Sequence, residues 1–253
     1  HVKKITVLQL LAHRSGFQAN LTGGWGQISA GVPIAQQRLT VVEKVIREPL
    51  ECDPGCRYLY SNLGYVVAAA MAEKSTGREW ERLISTLVFE PLGMTTAGFG
   101  GLGTPGKIDK PWPHFQDGRP AETNGPAVDN PPVLAPAGTV HCSLADWAKF
   151  IGDQLKGELG QGALLRAETY RKLHTPPFGG DYGLGWLVVE RPWGGGPVYT
   201  HSGSNTMNFA VVWIAPLRDL AIMAVTNQGG SRASSACDRA VGALIGWQQR
   251  RQP

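Results

Sequence analysis

After Pro176-Pro177 the apolar periodicity changes from helical to extended, and that change limits the fold more than any other feature. Four runs beyond it have the length and the β-branched and aromatic content of strands: Leu184 to Glu190, Val198 to Gly203, Asn208 to Ile214 and Leu220 to Asn227. The segments between them, such as Arg191 to Pro197 and Ala215 to Asp219, are turn sequences too short for a crossover helix, so the strands are expected to form an antiparallel meander. Ser234 to Gln248 then reads as a helix that covers one sheet face. Ahead of the prolines the apolar spacing is helical: residues 5–12, with Gly16 as a C-terminal cap, 39–46 up to Pro49, 63–75 up to Gly77, 79–88, 143–155 with Ser143 as cap, and 167–173. Helices first and a meander last predict an α+β fold, with a mainly helical part over residues 1–175 and the sheet with its C-terminal helix over residues 176–253.

Between them, residues 98–140 are rich in Gly and Pro and lack periodicity, which predicts either a functional surface or a wrapping connection. Gly98-x-Gly100-x-x-Gly103 matches the dinucleotide fingerprint, and Gly101 through Gly106-Lys107 matches most of a P-loop. Neither follows a strand, and Ile108 stands where a P-loop needs Ser or Thr for magnesium, so no nucleotide cofactor is expected. The 253 residues are 42% apolar, enough to bury a substantial core. The 24 basic and 20 acidic residues are spread along the chain, so the formal charge of +4 does not call for nucleic acid. The longest apolar run, Tyr65 to Ala72, is too short to span a bilayer. Cys52 and Cys56 flank the turn sequence Asp53-Pro54-Gly55, whose geometry can close a disulfide; from the residues alone, bridged and free thiols stay equally open. A metal site is not expected, because this C-x3-C has no second Cys or His pair nearby, and Cys142 and Cys237 stand alone.

Two segments carry chemistry. Tyr60-Ser61-Asn62 lies at a loop-to-helix junction, where side chains two apart in an extended segment point the same way, so the Tyr60 phenol and the Asn62 amide can face one pocket. A tyrosine serves as general base or proton relay only when positive charge lowers its pKa from about 10. The plainer alternative is that Ser61 or Asn62 caps the following helix, with Tyr60 packed beneath it. His201-Ser202-Gly203-Ser204-Asn205 runs along the second strand. His201 there is either a structural histidine or a site residue; Gly203 leaves room for a ligand backbone, and the Ser204 amide can meet a developing oxyanion.

These two segments in this order, with Ile5-Thr-Val-x-x-Leu-Leu-x-His-x-Ser-Gly16 ahead of both, resemble the serine β-lactamase and penicillin-binding protein superfamily, closest to class C β-lactamase-like esterases and D,D-peptidases. Phe89 to Met94, Pro136-Ala137-Gly138 and Tyr182-Gly-Leu-Gly-Trp186 extend the likeness over most of the chain. The resemblance implies that Tyr60 is the proton relay, that Asn62 contacts the catalytic lysine and the substrate amide, and that His201, Ser202 and Gly203 form the third motif. Ser204 then supplies an oxyanion amide, and Asn205 belongs to the substrate-binding edge.

The family's nucleophile motif, Ser-x-x-Lys, occurs nowhere in these residues; Thr104 to Lys107 and Thr169 to Lys172 share the spacing but fall after Tyr60. The expectation is therefore a C-terminal part of a longer polypeptide, whose nucleophile helix and first strands lie upstream or on another chain. The resemblance implies acyl-enzyme hydrolysis of a small-molecule or peptide ester or amide, with no metal or other cofactor, and the family's habit implies a periplasmic or secreted protein. Histidine with an ordinary pKa of about 6.5 gives only partial positive charge where many β-lactamases carry lysine, which favours esters or D-amino-acid peptides over β-lactams. The competing expectation is an inactive relative that binds a peptide or cell-wall fragment. An α/β-hydrolase is disfavoured, since no Gly-x-Ser-x-Gly elbow is present.

Overall fold

The computed structural model describes residues 4–104, 107, 109–121 and 128–251. Pro105, Gly106 and Ile108 of the P-loop-like string lie outside them, as does part of Thr104 to Lys107. Helices α1 (Val7–Leu11), α2 (Ile34–Val45), α3 (Asn62–Thr76) and α4 (Trp80–Ile84) come first. Two-residue strands β1 (Gly98–Phe99) and β2 (Val140–His141) flank the short α5 (Ala135–Gly138), followed by α6 (Leu144–Lys156) and α7 (Ala167–Leu173). Strands β3 (Leu187–Arg191), β4 (Gly196–Ser204), β5 (Phe209–Ala215) and β6 (Leu220–Thr226) pair antiparallel in sequence order, and α8 (Ser231–Gln249) closes the fold. The α+β meander is as expected. The first strand starts three residues late, because Gly185 sits at φ +90° and turns the chain before Leu187.

Alternation along β5 builds two cores from one strand. Val211 packs with Ile222 and with Cys237 and Val241 of α8, whereas Val212 and Ile214 pack with Ile151 of α6 and with Trp186. The sheet is thus covered on both faces, one of them by a helix from the segment ahead of Pro176. A third core joins α1, α2 and α3 through Leu10, Val41, Val45, Leu63 and Val66, each worth about 1.5–3 kcal/mol on burial.

Helix α2 begins five residues earlier than its apolar spacing suggests. Its first turns carry Gln37 and Arg38, polar residues that are nevertheless buried. Arg38, fully enclosed, pairs with Glu73 of α3 and Glu81 of α4, which makes this helical face internal despite its charge. The cap expected at Gly16 is also different: α1 ends at Leu11 with Ala12 as its C-cap, and Gly16 serves a close approach instead. At φ +80° its Cα faces the Cys52 carbonyl, where a Cβ would lie 2.1 Å from the oxygen.

The long connection wraps the molecule. Residues around His114 bond to the far end of the sheet, with the His114 N–H donating to the Met207 carbonyl (3.1 Å) and the Gly229 N–H donating to the His114 carbonyl (3.1 Å). Cys52 and Cys56 are disulfide-bonded, with Cα atoms 6.5 Å apart. Among the described residues no helix is long and apolar enough to cross a membrane, and no group of three or more His, Cys, Asp or Glu could hold a metal.

Candidate active site

Segment 13–20 clamps the Tyr60-Ser61-Asn62 loop. The Leu59 N–H donates to the His13 carbonyl (2.8 Å), the Ser61 hydroxyl to the Gln18 carbonyl (2.7 Å) and the Asn62 N–H to the Ala19 carbonyl (2.9 Å). Ser61 also caps α3, its Oγ accepting from the Gly64 N–H at 3.1 Å. Capping and site presentation are therefore the same arrangement: the buried Ser61 turns its neighbours outward. Tyr60 is half-exposed rather than packed beneath the helix.

The phenol of Tyr60 donates to Asn62 Oδ1 at 2.9 Å, and Asn62 Nδ2 donates to Asn20 Oδ1 at 2.9 Å. Trp25 Nε1 donates to the same Asn20 oxygen at 3.3 Å. Asn20 and Trp25 escaped the sequence reading because they lie in a Gly-rich loop about forty residues away, with no motif of their own. Burial raises the Tyr60 pKa above its ordinary value, so within this chain the phenol keeps its proton. The lowered pKa that a relay needs must come from an added cation.

Behind the loop sits His13, 2% exposed and at φ +52°. Its Nδ1 accepts the Ser61 N–H at 3.0 Å, which places the ring proton on Nε2. The ring lies 4.7 Å from that of Tyr60, 5.0 Å from Tyr182, 5.2 Å from Tyr65 and 5.5 Å from Tyr58. Burial first, and the charge of His201 second, hold its pKa down at about 4. The same enclosure pushes Tyr65 up to about 12 and Tyr182 well above its ordinary value. A neutral imidazole thus fixes the backbone between the two residues singled out from sequence. The Ile5 to Gly16 motif contains His13, but its partner became visible only in the fold.

Across the groove, His201, Ser202, Gly203 and Ser204 are exposed along the end of β4. His201 Nδ1 meets the Gly185 carbonyl at 2.7 Å; a carbonyl oxygen only accepts, so this nitrogen carries the proton and Nε2 is left to a ligand. Gly203 has open space where a side chain would stand. Ser204 Oγ is used locally, donating to the Asn208 carbonyl (2.6 Å) and accepting from the Thr206 N–H (3.0 Å). The Asn205 amide also serves the loop: its Oδ1 accepts from the Met207 and Asn208 N–H groups, and its Nδ2 donates to Asp129.

Tyr60, Asn62 and His201 through Asn205 all line a single groove of about 2120 Å³, together with Tyr182, Asp129 and Lys110. Cys142 lines it as well, with a thiol pKa raised by burial and then by Asp146.

The fold is that of the β-lactamase and transpeptidase-like proteins. The family model described as Beta-lactamase matches residues 1–245, and the chain belongs to that family. A Bacillus subtilis (strain 168) protein provisionally named as a penicillin-binding protein, PbpX, is 29% identical over 188 residues, 73% of this chain and 43% of the relative. A Salmonella schwarzengrund (strain CVM19633) protein provisionally named as a D-alanyl-D-alanine carboxypeptidase is 28% identical over 99 residues, 39% of this chain and 23% of the relative. The chain thus spans less than half the length of these relatives. The penicillin-binding protein of Bacillus halodurans has a similar structure (TM-score 0.74, 19% identity, 96% of this chain and 75% of that one). So has the D-amino acid amidase of Ochrobactrum anthropi SV3 in complex with L-phenylalanine (TM-score 0.71, 21% identity, 97% and 73%). At these identities the structural likeness establishes the fold alone.

Proposed function

We propose that this chain supplies the relay and substrate-edge half of a serine acyl-transfer site acting on an ester or amide, of esterase or D-amino-acid peptidase type. The observation that carries the proposal is the single groove lined by Tyr60 and Asn62 on one wall and by His201 to Ser204 on the other. The reaction needs a nucleophile, and no Ser-x-x-Lys lies in these residues. The proposal therefore concerns the polypeptide or assembly that brings such a segment to the groove. There the serine oxygen attacks the acyl carbonyl, the alcohol or amine leaves with a proton, and water releases the acyl group.

In that scheme Asn62 holds the Tyr60 phenol in place, and the lysine ammonium supplies the positive charge that lowers the phenol pKa toward a useful range. The Ser204 N–H stabilises the oxyanion, and open space at Gly203 admits the substrate backbone. The Cys52–Cys56 bridge fits an oxidising compartment, which supports a periplasmic or secreted location.

The test is ester and D-amino-acid amide hydrolysis by the full-length gene product, compared with its Tyr60→Phe variant. A loss of about 10² to 10⁴ in kcat with the Asn62 environment intact is expected for a positioned proton carrier. Ligand binding with no turnover by the full-length protein, unchanged in Tyr60→Phe, would instead support the reading as a catalytically inactive binder.

A further inference from the structure

Among the described groove-lining residues, formal charge resides on Asp129 and Lys110, so Asp129 is the one carboxylate that faces this space. It lies at the end of the wrapping connection, just before the Pro131-Pro132 turn into α5. No sequence motif marks it.

The carboxylate is oriented by groups that are themselves fixed. Asn205 Oδ1 accepts from the Met207 N–H (3.2 Å), the Asn208 N–H (2.9 Å) and Asn208 Nδ2 (3.2 Å). Three donors on the oxygen settle which way the Asn205 amide faces, so its NH2 must point at Asp129, whose Oδ1 it meets at 3.0 Å. The Asn130 N–H donates to the same Oδ1 at 2.7 Å. Both donors thus engage one oxygen. Among the described residues Oδ2 has no hydrogen-bond partner, and the carboxylate has no ion-pair partner. With Oδ1 taken by both donors, Oδ2 is the oxygen left for a cationic ligand in the groove.

We propose that Asp129 is an ammonium-recognition subsite of this groove, so that the acyl donor carries a primary amine within a few bonds of the reacting carbonyl. The inference rests on the groove being the acyl-donor site. Asn205 directly follows Ser204, so an amine at Asp129 Oδ2 lies beside the strand end assigned to the oxyanion. Asn205 then acts as the positioning residue for Asp129 and not as a direct substrate contact. A negative group here also disfavours a substrate carboxylate at the same point, in keeping with an imidazole instead of an ammonium at His201.

The experiment is calorimetric titration of the full-length protein with both enantiomers of alaninamide and with their N-acetyl derivatives, which lack the charge. The amine form of the preferred enantiomer is expected to bind about 10- to 100-fold more tightly than its acetylated form, the range of a charge-assisted hydrogen bond. Asp129→Asn keeps an acceptor for Asn205 and Asn130 but removes the charge. It should reduce that preference to within about twofold while leaving the N-acetyl affinity and the Tm unchanged. Equal binding of amine and acetylated ligands by the unaltered protein overturns the inference, as does a preference that survives Asp129→Asn. An Asp129→Asn variant that weakens both ligands alike and melts lower shows a merely structural carboxylate. Failure of every ligand to bind removes the groove reading itself. Binding with the expected preference but without turnover of any ester or amide sinks acyl transfer while leaving the ammonium subsite standing.

Discussion

Replacing His13 tests whether the imidazole organises the Tyr60-Ser61-Asn62 loop. In His13→Ala the fully buried Ser61 N–H loses its acceptor, which costs about 1–3 kcal/mol, and the rings of four tyrosines lose a packed neighbour whose contacts are worth about 0.5–1.5 kcal/mol each. A loss of about 3 kcal/mol or more is therefore expected, or a Tm lower by ~6–12 °C for a chain of this size. His13→Asn should recover a large part, since asparagine tolerates positive φ and its carbonyl can accept the Ser61 N–H. The pH dependence provides a second reading of the same contact. The folded pKa of about 4 lies below the unfolded value of about 6.5, so the unfolded chain binds the proton first as pH falls. Stability then rises with pH through this window, and the unaltered protein loses up to about 3 kcal/mol between pH 6.5 and 4 that the asparagine variant does not lose. Thermal melts at pH 7, 5.5 and 4 should show the gap between unaltered protein and His13→Asn closing as pH falls. A gap that stays constant over that range, or an alanine variant as stable as the asparagine one, would refute the reasoning.

Arg38→Met should cost about 3–5 kcal/mol in denaturant unfolding, because it strands the buried Glu73 carboxylate, and adding Glu73→Gln should restore part of it; simple additivity of the two would count against a shared network. Gly229→Ala places a Cβ 1.7 Å from the Thr206 carbonyl oxygen and must shift the loop that carries Ser204 and Asn205. It is expected to destabilise by about 1–3 kcal/mol and to weaken ligand binding in the groove, whereas unchanged melting and binding would show that the loop yields freely. Reduction of Cys52–Cys56, or its replacement by two serines, should lower stability by about 2 kcal/mol from loop entropy alone, measured by melts with and without reductant.

The order of elements was legible because it depends on local spacing. Strand periodicity after Pro176, the cap at Ser143 and the helix over Ala167–Leu173 all appear where local residues place them. Tyr60 and Asn62 were legible for the same reason, being two apart in an extended segment and sharing a hydrogen bond. Both segments line one groove in the fold.

What remained hidden concerns polar groups whose surroundings come from elsewhere in the chain. The start of α2 was missed because Arg38 reads as a surface residue until Glu73 and Glu81, on two other helices, enclose it. Asn20 meets Asn62, His13 meets Ser61, and Asp129 meets Asn205 across 42, 48 and 76 residues respectively. The linear chain determined which segments are helices and strands, because apolar periodicity acts over a few residues. Tertiary packing decided which polar atoms are buried, oriented or left open to a ligand, because a hydrogen bond takes its partner from whatever the fold brings within about 3 Å.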